Sequence, residues 1–83
     1  MAKPDHQTIV DALIELLQNS LEKPRAMDAD TALIADLGLE SIQVIEYLCE
    51  VEDRFDLAID EDRLADVQTL GDLATVVQQL LRS

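Results

Sequence analysis

A serine hydroxyl stands where a glycine-containing loop is predicted to enter a helix. Residues 36–42 read Asp-Leu-Gly-Leu-Glu-Ser-Ile, and Ser41 opens the apolar period that follows. A residue at a helix start lies near free backbone N–H groups and the positive end of the helix dipole. Such groups bind phosphate, so this position suits a serine that carries a phosphodiester. The competing interpretation is that Ser41 is only a helix N-cap.

The other reactive residue types show no catalytic pattern. His6 stands alone near the N-terminus and is predicted to lie at the surface without a partner. Cys49 lies within a predicted helix and lacks a basic neighbour, which favours packing or partner contact over nucleophilic chemistry. The carboxylates of residues 60–62 lack the spacing of an EF-hand loop, which indicates a solvated helix start rather than a metal site. We therefore expect a protein that is not an enzyme.

Apolar periodicity predicts three long helices and one short one. The long helices are expected over about Asp5 to Leu21, Ser41 to Phe55 and Thr69 to Leu81. An extended piece after Phe55 leads to a short turn or helix near Asp60 to Ala65. Thr69 is a good N-cap, and Asp72 can support the first-turn N–H groups of the last helix.

The second helix divides into an apolar and an acidic face when its residues are placed about 100° apart. The apolar side is predicted to contain Val44, Leu48, Val51 and Phe55, with Ile45 beside them. The opposite side contains Gln43, Glu46, Glu50 and Asp53, with Ile42 and Cys49 on its flank. One side is thus expected to pack on the core and the other to face solvent or a partner.

The segment between the first two long helices, residues 22–39, shows no clear period. Loops of this length in compact domains are usually functional or anchored. Leu33, Ile34 and Leu37 are predicted to anchor the loop on the core, and Gly38 provides a position free of steric restriction. Leu39 and Val44 are expected to form a hydrophobic staple across the start of the second helix.

Length and composition indicate one small all-α domain that spans residues 1–83. The hydrophobic fraction is 48%, but Tyr47 and Phe55 are the only aromatic residues, so the core must consist mainly of aliphatic side chains. No internal repeat, hairpin signal or long apolar run is present. We expect a four-helix bundle with three long helices, a short third helix and a long first loop.

The formal net charge of −12 restricts the classes of partner. Nucleic acids and anionic membranes require basic surfaces, so we expect neither nucleic-acid binding nor stable membrane insertion. A strongly acidic protein is instead attracted to basic patches on other proteins. Cys49 is the single cysteine, and the N-terminus lacks an apolar secretory stretch. These features favour a cytoplasmic monomer.

The whole chain resembles the acyl carrier proteins. Members of that family have an Asp-Leu-Gly stretch followed by an Asp-Ser-Leu motif that opens their second helix, and this chain has Asp-Leu-Gly-Leu-Glu-Ser-Ile over residues 36–42. The resemblance includes the Leu33–Ile34 anchor, the acidic second helix ending in Phe55, the Ile59–Asp60 entry to the short third helix, and Thr69 at the start of the fourth. It implies the small helical bundle of that family.

The resemblance also implies a function. In such proteins a phosphopantetheinyl transferase moves 4′-phosphopantetheine from coenzyme A to the serine, which would be Ser41 here. The thiol at the end of this arm holds acyl groups as thioesters for acyl-transferring and condensing enzymes of fatty-acid, polyketide or related lipid biosynthesis. Docking through the second helix would involve Glu40, Ile42, Gln43, Glu46, Cys49, Glu50 and Asp53.

Two residues depart from the family pattern. Glu40 replaces the usual Asp and is a poorer N-cap because its side chain is longer. Ile42 replaces the commoner Leu. Both changes make a specialised lipid or polyketide pathway a reasonable alternative to housekeeping fatty-acid synthesis.

Two alternative functions remain at this point. An aminoacyl or peptidyl carrier is one, although that relative usually has a Gly-His-Ser motif where this chain has Leu39-Glu40-Ser41. The other is a helical interaction module without a prosthetic group. In that case Ser41 would be only a cap, and its replacement by alanine would cost about 1 kcal/mol of stability.

Overall fold

The computed structural model describes residues 5–20 and 26–82. Within these ranges four helices follow one another: α1 (His6–Ser20), α2 (Ser41–Phe55), α3 (Glu61–Leu64) and α4 (Leu70–Arg82). The all-α prediction is confirmed, and each helix end that the structure describes lies within one residue of its predicted position. Leu21, the predicted last residue of α1, lies outside the described residues. Within the described ranges, no helix is long and apolar enough to cross a membrane.

Side-chain caps determine where α1 and α4 begin. At α1, the Thr8 N–H donates to Asp5 Oδ1 at 2.8 Å, and this bond lowers the pKa of the Asp5 carboxyl. At α4, the Asp72 N–H donates to Thr69 Oγ1 at 3.1 Å, so Thr69 is the N-cap of this helix, as predicted. The Asp72 carboxylate accepts the N–H groups of Gln68 and Thr69, which lower its pKa.

The end of α2 has a left-handed residue, Asp56, with φ of 53°. This conformation allows the Leu57 N–H to donate to the Glu52 carbonyl at 3.1 Å, which terminates the helix. The Glu52 carboxylate then accepts the Ile59 N–H at 3.2 Å, and this bond positions the extended segment that leads to α3.

The aliphatic core lies between α1, α2 and α4. Its fully buried members include Ile9, Leu13, Val51, Leu70 and Leu73. Their helical spacing explains why each of the long helices buries one face. The short α3 contributes only Leu64, which packs at the edge of this core.

The buried face of α2 differs from the predicted one at two positions. Ile45 was expected beside the apolar stripe, but its side chain is 54% exposed. Tyr47 occupies the other edge of the stripe and is 3% exposed. Its hydroxyl donates to the Leu13 carbonyl of α1 at 2.8 Å, and burial, with a smaller contribution from Glu50, raises its pKa. That hydrogen bond satisfies the Tyr47 hydroxyl and so favours burial of this side chain. Because Tyr47 lies on the core side of α2, Ile45 at the opposite edge of the stripe lies on the solvent side.

Backbone hydrogen bonds attach the first loop to the start of α4. The Leu33 N–H donates to the Gln68 carbonyl at 2.9 Å, and the Leu70 N–H donates to the Thr31 carbonyl at 3.0 Å. Together they form an isolated antiparallel bridge between Ala32 and Thr69. This attachment holds residues 31–33 of the loop against the segment that leads into α4.

Two of the three predicted loop anchors are confirmed. Leu33 is buried and Leu37 packs partly on the core. Ile34 is not an anchor, because its side chain is 63% exposed. The turns over residues 33–37 direct Leu33 inward, so the adjacent side chain points away from the core. Gly38 ends these turns with φ of 68°, a conformation that favours glycine.

Gly71 joins three parts of the fold. Its N–H donates to the Ala29 carbonyl at 2.8 Å, and its carbonyl accepts a hydrogen bond from His6 Nε2 at 3.0 Å. A β-carbon at this position would lie 2.9 Å from the Ala29 oxygen, so only glycine fits. The prediction that His6 has no partner was therefore wrong. His6 is half-buried and links α1 to α4, a contact between residues 65 positions apart that periodicity does not reveal.

Candidate functional site

Ser41 is the first residue of α2, and Glu40 is its N-cap. The Glu40 backbone is extended, with φ of −80° and ψ of 161°, and its carbonyl accepts the Val44 N–H at 3.0 Å. The interpretation of Ser41 as the N-cap is therefore wrong. Its side chain is exposed, and within the described residues its hydroxyl has no hydrogen-bond partner. The hydroxyl is free for chemistry in a way that a capping hydroxyl is not.

Glu40 and Gln43 fix the junction between the loop and the helix. The Glu40 N–H donates to Gln43 Oε1 at 2.8 Å. The Glu40 side chain in turn approaches the Gln43 N–H, so the two residues form a reciprocal capping box. The helix start is thereby held by the residues on either side of the Ser41–Ile42 pair.

Two backbone donors lie next to the serine hydroxyl. The N–H groups of Ser41 and Ile42 are among the first of the helix and have no partner within the part of the chain that the structure describes. Both stand at the positive end of the α2 dipole. Free donors and a positive potential beside an exposed hydroxyl fit a phosphate ester on Ser41.

All seven residues predicted to dock partners are exposed, and they lie on α2 or its cap: Glu40, Ile42, Gln43, Glu46, Cys49, Glu50 and Asp53. Ile45 adds to this surface, which we call the α2 face. Ile42 and Ile45 are 57% and 54% exposed, so the α2 face combines apolar and acidic side chains. The sequence pattern placed Ile45 on the core side because Ile45 lies at the edge of the apolar stripe of α2, next to the side that faces solvent.

The free thiol of Cys49 is exposed on the α2 face. Packing of Cys49 in the core is thereby excluded, and contact with a partner stays a prediction. Among residues 5–20 and 26–82, no three His, Cys, Asp or Glu side chains are grouped closely enough to hold a metal ion. Asp60 acts as the N-cap residue of α3, which agrees with a solvated helix start.

An apolar cavity of about 300 Å³ opens beside α2. The first loop and α2 form one side, and α3 with the segment after it forms the other; the lining residues are Ala32, Leu33, Ile34, Ala35, Val44, Leu48, Leu64, Val67 and Gln68. Val44 lies one helical turn after Ser41, so the cavity begins near the serine. Sequence reasoning did not find this cavity, and it assigned Ile34, one of the lining residues, to the anchors of the loop.

Comparison with known families gives a match over most of the chain. The family model described as "Phosphopantetheine attachment site" matches residues 7–77. Acyl carrier protein 3 of Ralstonia nicotianae is 32% identical over 77 residues, which cover 92% of this chain and 88% of that protein. The anthracycline acyl carrier protein DpsG of Streptomyces peucetius is 35% identical over 74 residues, which cover 86% of this chain and 88% of that protein.

A solved structure has the same arrangement of helices. It is a protein from Mycobacterium tuberculosis described as an acyl carrier protein, and it superposes with a TM-score of 0.78 at 31% sequence identity. The match covers 86% of this chain and 96% of that one. The sequence comparisons and the structural comparison therefore agree on the group of proteins to which this chain is similar.

Proposed function

The chain belongs to the phosphopantetheine-carrying family of acyl carrier proteins, and we propose that Ser41 is the residue that carries its 4′-phosphopantetheine. The observation that carries this proposal is the exposed hydroxyl at the first position of α2, which has no hydrogen-bond partner among the described residues. When bound, the group supplies a terminal thiol that holds acyl chains as thioesters. The protein itself transfers and cleaves nothing, in keeping with a family of carriers.

The residues around Ser41 suit this role. The helix start offers the Ser41 and Ile42 N–H groups to the ester phosphate, while the Glu40 cap keeps the hydroxyl turned outward. The donor would be coenzyme A, and a phosphopantetheinyl transferase would catalyse the attachment. A transferase must reach the hydroxyl from solvent, and exposure of Ser41 permits that approach.

The α2 face is the proposed docking surface for the transferase and for acyl-transferring and condensing enzymes. Glu46, Glu50 and Asp53 provide negative charge for basic patches on these partners. Ile42 and Ile45 provide apolar area beside that charge. We also infer a cytoplasmic monomer formed by residues 1–83 as one carrier domain, supported by the single exposed cysteine and the net charge of −12.

The apolar cavity supports an acyl cargo over an aminoacyl or peptidyl cargo. Its lining is almost wholly aliphatic, and among the described residues that line it only Gln68 has a polar side chain. A hydrocarbon chain gains free energy by leaving water for such a site, whereas an amino acid loses hydrogen bonds there. We therefore propose fatty-acyl or other hydrocarbon-rich cargo, in a fatty-acid, polyketide or related lipid pathway.

The mass of the intact protein tests the attachment site. The chain is incubated with coenzyme A, magnesium and a broad-specificity phosphopantetheinyl transferase. The parent should gain one phosphopantetheine, and Ser41→Ala should gain none. The chain has two other serines, so Ser20→Ala and Ser83→Ala are matched controls that should both be modified.

A folded parent that gains no mass would favour the interaction module without a prosthetic group. Glu40→Asp restores the usual family motif and separates two causes of such a failure. Modification of Glu40→Asp alone would show that this transferase does not read glutamate at the position, and no modification of either would overturn the proposal.

Charge reversal tests the docking surface. Glu46→Lys should raise the KM of the transferase about fivefold at low salt, because an attractive contact becomes repulsive. Glu15→Lys makes the same change in net charge at an exposed position of α1 and serves as the matched control. Equal effects of both variants would indicate only an overall charge effect and would contradict docking at the α2 face.

Methyl chemical shifts test the cargo site. An octanoyl group loaded on the modified protein should shift the methyl resonances of Val44, Leu48 and Leu64, which line the cavity. The Leu73 methyls, which are buried in the core away from the cavity lining, serve as the control. Unchanged resonances at all cavity positions would place the cargo in solvent.

A further inference from the structure

We infer that Gln43 is a positioning residue for the modification of Ser41, through its hydrogen bond to the Glu40 N–H. The inference rests on the proposed attachment at Ser41. Gln43 was assigned to partner docking from its place on the helix wheel. Its side-chain oxygen is instead 2.8 Å from the Glu40 nitrogen, so the side chain folds back over the junction that presents the serine.

The capping box compensates for an unfavourable cap residue. Glutamate caps a helix poorly because its longer side chain fits the first-turn N–H groups less well than that of Asp, Asn or Ser. The Gln43 oxygen satisfies the N–H of the cap residue itself, which a single capping side chain leaves open. Glu40 and Gln43 therefore act as a pair at this helix start.

A competing helix start would use the serine. Ser41 is intrinsically a better N-cap than Glu40 and lies one residue further along the chain. If the helix began one residue later, the Ser41 hydroxyl would turn inward and accept the Val44 N–H, which now donates to the Glu40 carbonyl. The hydroxyl would then be engaged in a hydrogen bond and turned away from a transferase.

The hydrogen bond from Glu40 to Gln43 opposes this shift. It exists only when Glu40 is the N-cap and Gln43 stands three residues after it. Loss of one capping hydrogen bond changes the ratio of the two helix starts by about fivefold. Gln43 thus favours the arrangement in which Ser41 has helical dihedral angles and its hydroxyl points to solvent.

The experiment measures modification kinetics together with the ¹³Cα and ¹³Cβ chemical shifts of Ser41 in the unmodified protein. These shifts distinguish helical from extended backbone. Gln43→Met keeps the size of the side chain and removes the acceptor, and Gln43→Glu keeps an acceptor. Gln7→Met is the matched control, because it makes the same change at an exposed α1 residue whose side chain also forms a hydrogen bond, to Asp11.

Gln43→Met should lower kcat/KM of the transferase by at most about threefold, because a fivefold change in the ratio lowers the population of the predominant helix start by no more than that. The Ser41 shifts should move toward extended values. Gln43→Glu keeps an acceptor and should leave the Ser41 shifts at parent values, while Gln7→Met should leave both the shifts and the kinetics at parent values. Glu40→Asp should rescue Gln43→Met, because Asp caps the helix without help.

Two results would overturn the inference. Slower modification of Gln43→Met with unchanged Ser41 shifts would assign Gln43 to docking, and shifted resonances with unchanged kinetics would make the capping box merely structural. If the transferase modifies neither the parent nor Glu40→Asp, the proposed function fails, while the chemical shifts still decide whether Gln43 controls the helix start.

Discussion

Replacement of Ser41 by alanine should leave the stability of the unmodified protein almost unchanged. The Ser41 hydroxyl has no hydrogen-bond partner in the described structure and its side chain is exposed. Exposed substitutions of this kind change the free energy of unfolding by about 0.5 kcal/mol or less. A capping serine would instead lose about 1 kcal/mol. In a domain of this size, that loss lowers the melting temperature by about 4–8 °C.

Thr69 provides the matched comparison, because it is a true cap at the start of α4. Its hydroxyl accepts the Asp72 N–H at 3.1 Å, and Thr69→Ala should therefore lose the full capping contribution of about 1 kcal/mol. Urea unfolding followed by circular dichroism at equal salt and protein concentration measures both variants. The urea concentration at the midpoint of unfolding should be the same for Ser41→Ala as for the parent, and it should be lower for Thr69→Ala. An equal loss in both variants would refute the assignment of Glu40 as the cap.

Three further predictions concern the elements that support the site. Tyr47→Phe removes the hydroxyl that donates to the Leu13 carbonyl at 2.8 Å and should cost about 1 kcal/mol in urea unfolding; an unchanged midpoint would show that this bond contributes nothing. Asp56→Asn removes a negative charge from the C-terminus of α2 and keeps a residue type that tolerates φ of 53°. The free energy of unfolding should therefore rise by about 0.3–1 kcal/mol. A lower melting temperature would contradict this reasoning. Asp72→Ala should destabilise the protein at pH 7, because backbone N–H groups of Gln68 and Thr69 lower the pKa of the Asp72 carboxyl. That stabilisation is present above the unfolded-state pKa of about 3.9 and is lost as the pH falls through the lower folded-state pKa. The free energies of unfolding of the parent and Asp72→Ala should therefore converge in acid. A difference that persists in acid would show that the hydrogen bonds to the carboxylate are not the cause.

The helices could be predicted from the sequence because each long one buries a periodic stripe. Ser41 and the acidic residues of the α2 face were likewise identified correctly as exposed side chains on α2 or its cap. Their positions follow from the helical period alone, which depends on residues close together in the chain.

The remaining features depend on contacts between distant residues. His6 bonds to Gly71, and Tyr47 bonds to the Leu13 carbonyl, and neither partner is visible in a local pattern. Ile34 was misplaced because turns have no period that distinguishes inward from outward side chains. The Glu40–Gln43 pair is different, since a capping box is a local motif. It was missed because Gln43 was assigned from the helical wheel to the solvent-facing side of α2 and to partner docking.

The two sides of the apolar cavity have different mechanical properties. The loop side is joined to the start of α4 by backbone hydrogen bonds from Leu33, Leu70 and Gly71. The opposite side is held at Gln68, whose carbonyl accepts the Leu33 N–H, but elsewhere it rests on Leu64 of the four-residue α3 and on Val67. Short helices with few internal bonds open at low free energy. A cargo too large for about 300 Å³ should therefore displace α3 while the loop stays in place, so the cavity has one stiff wall and one compliant wall.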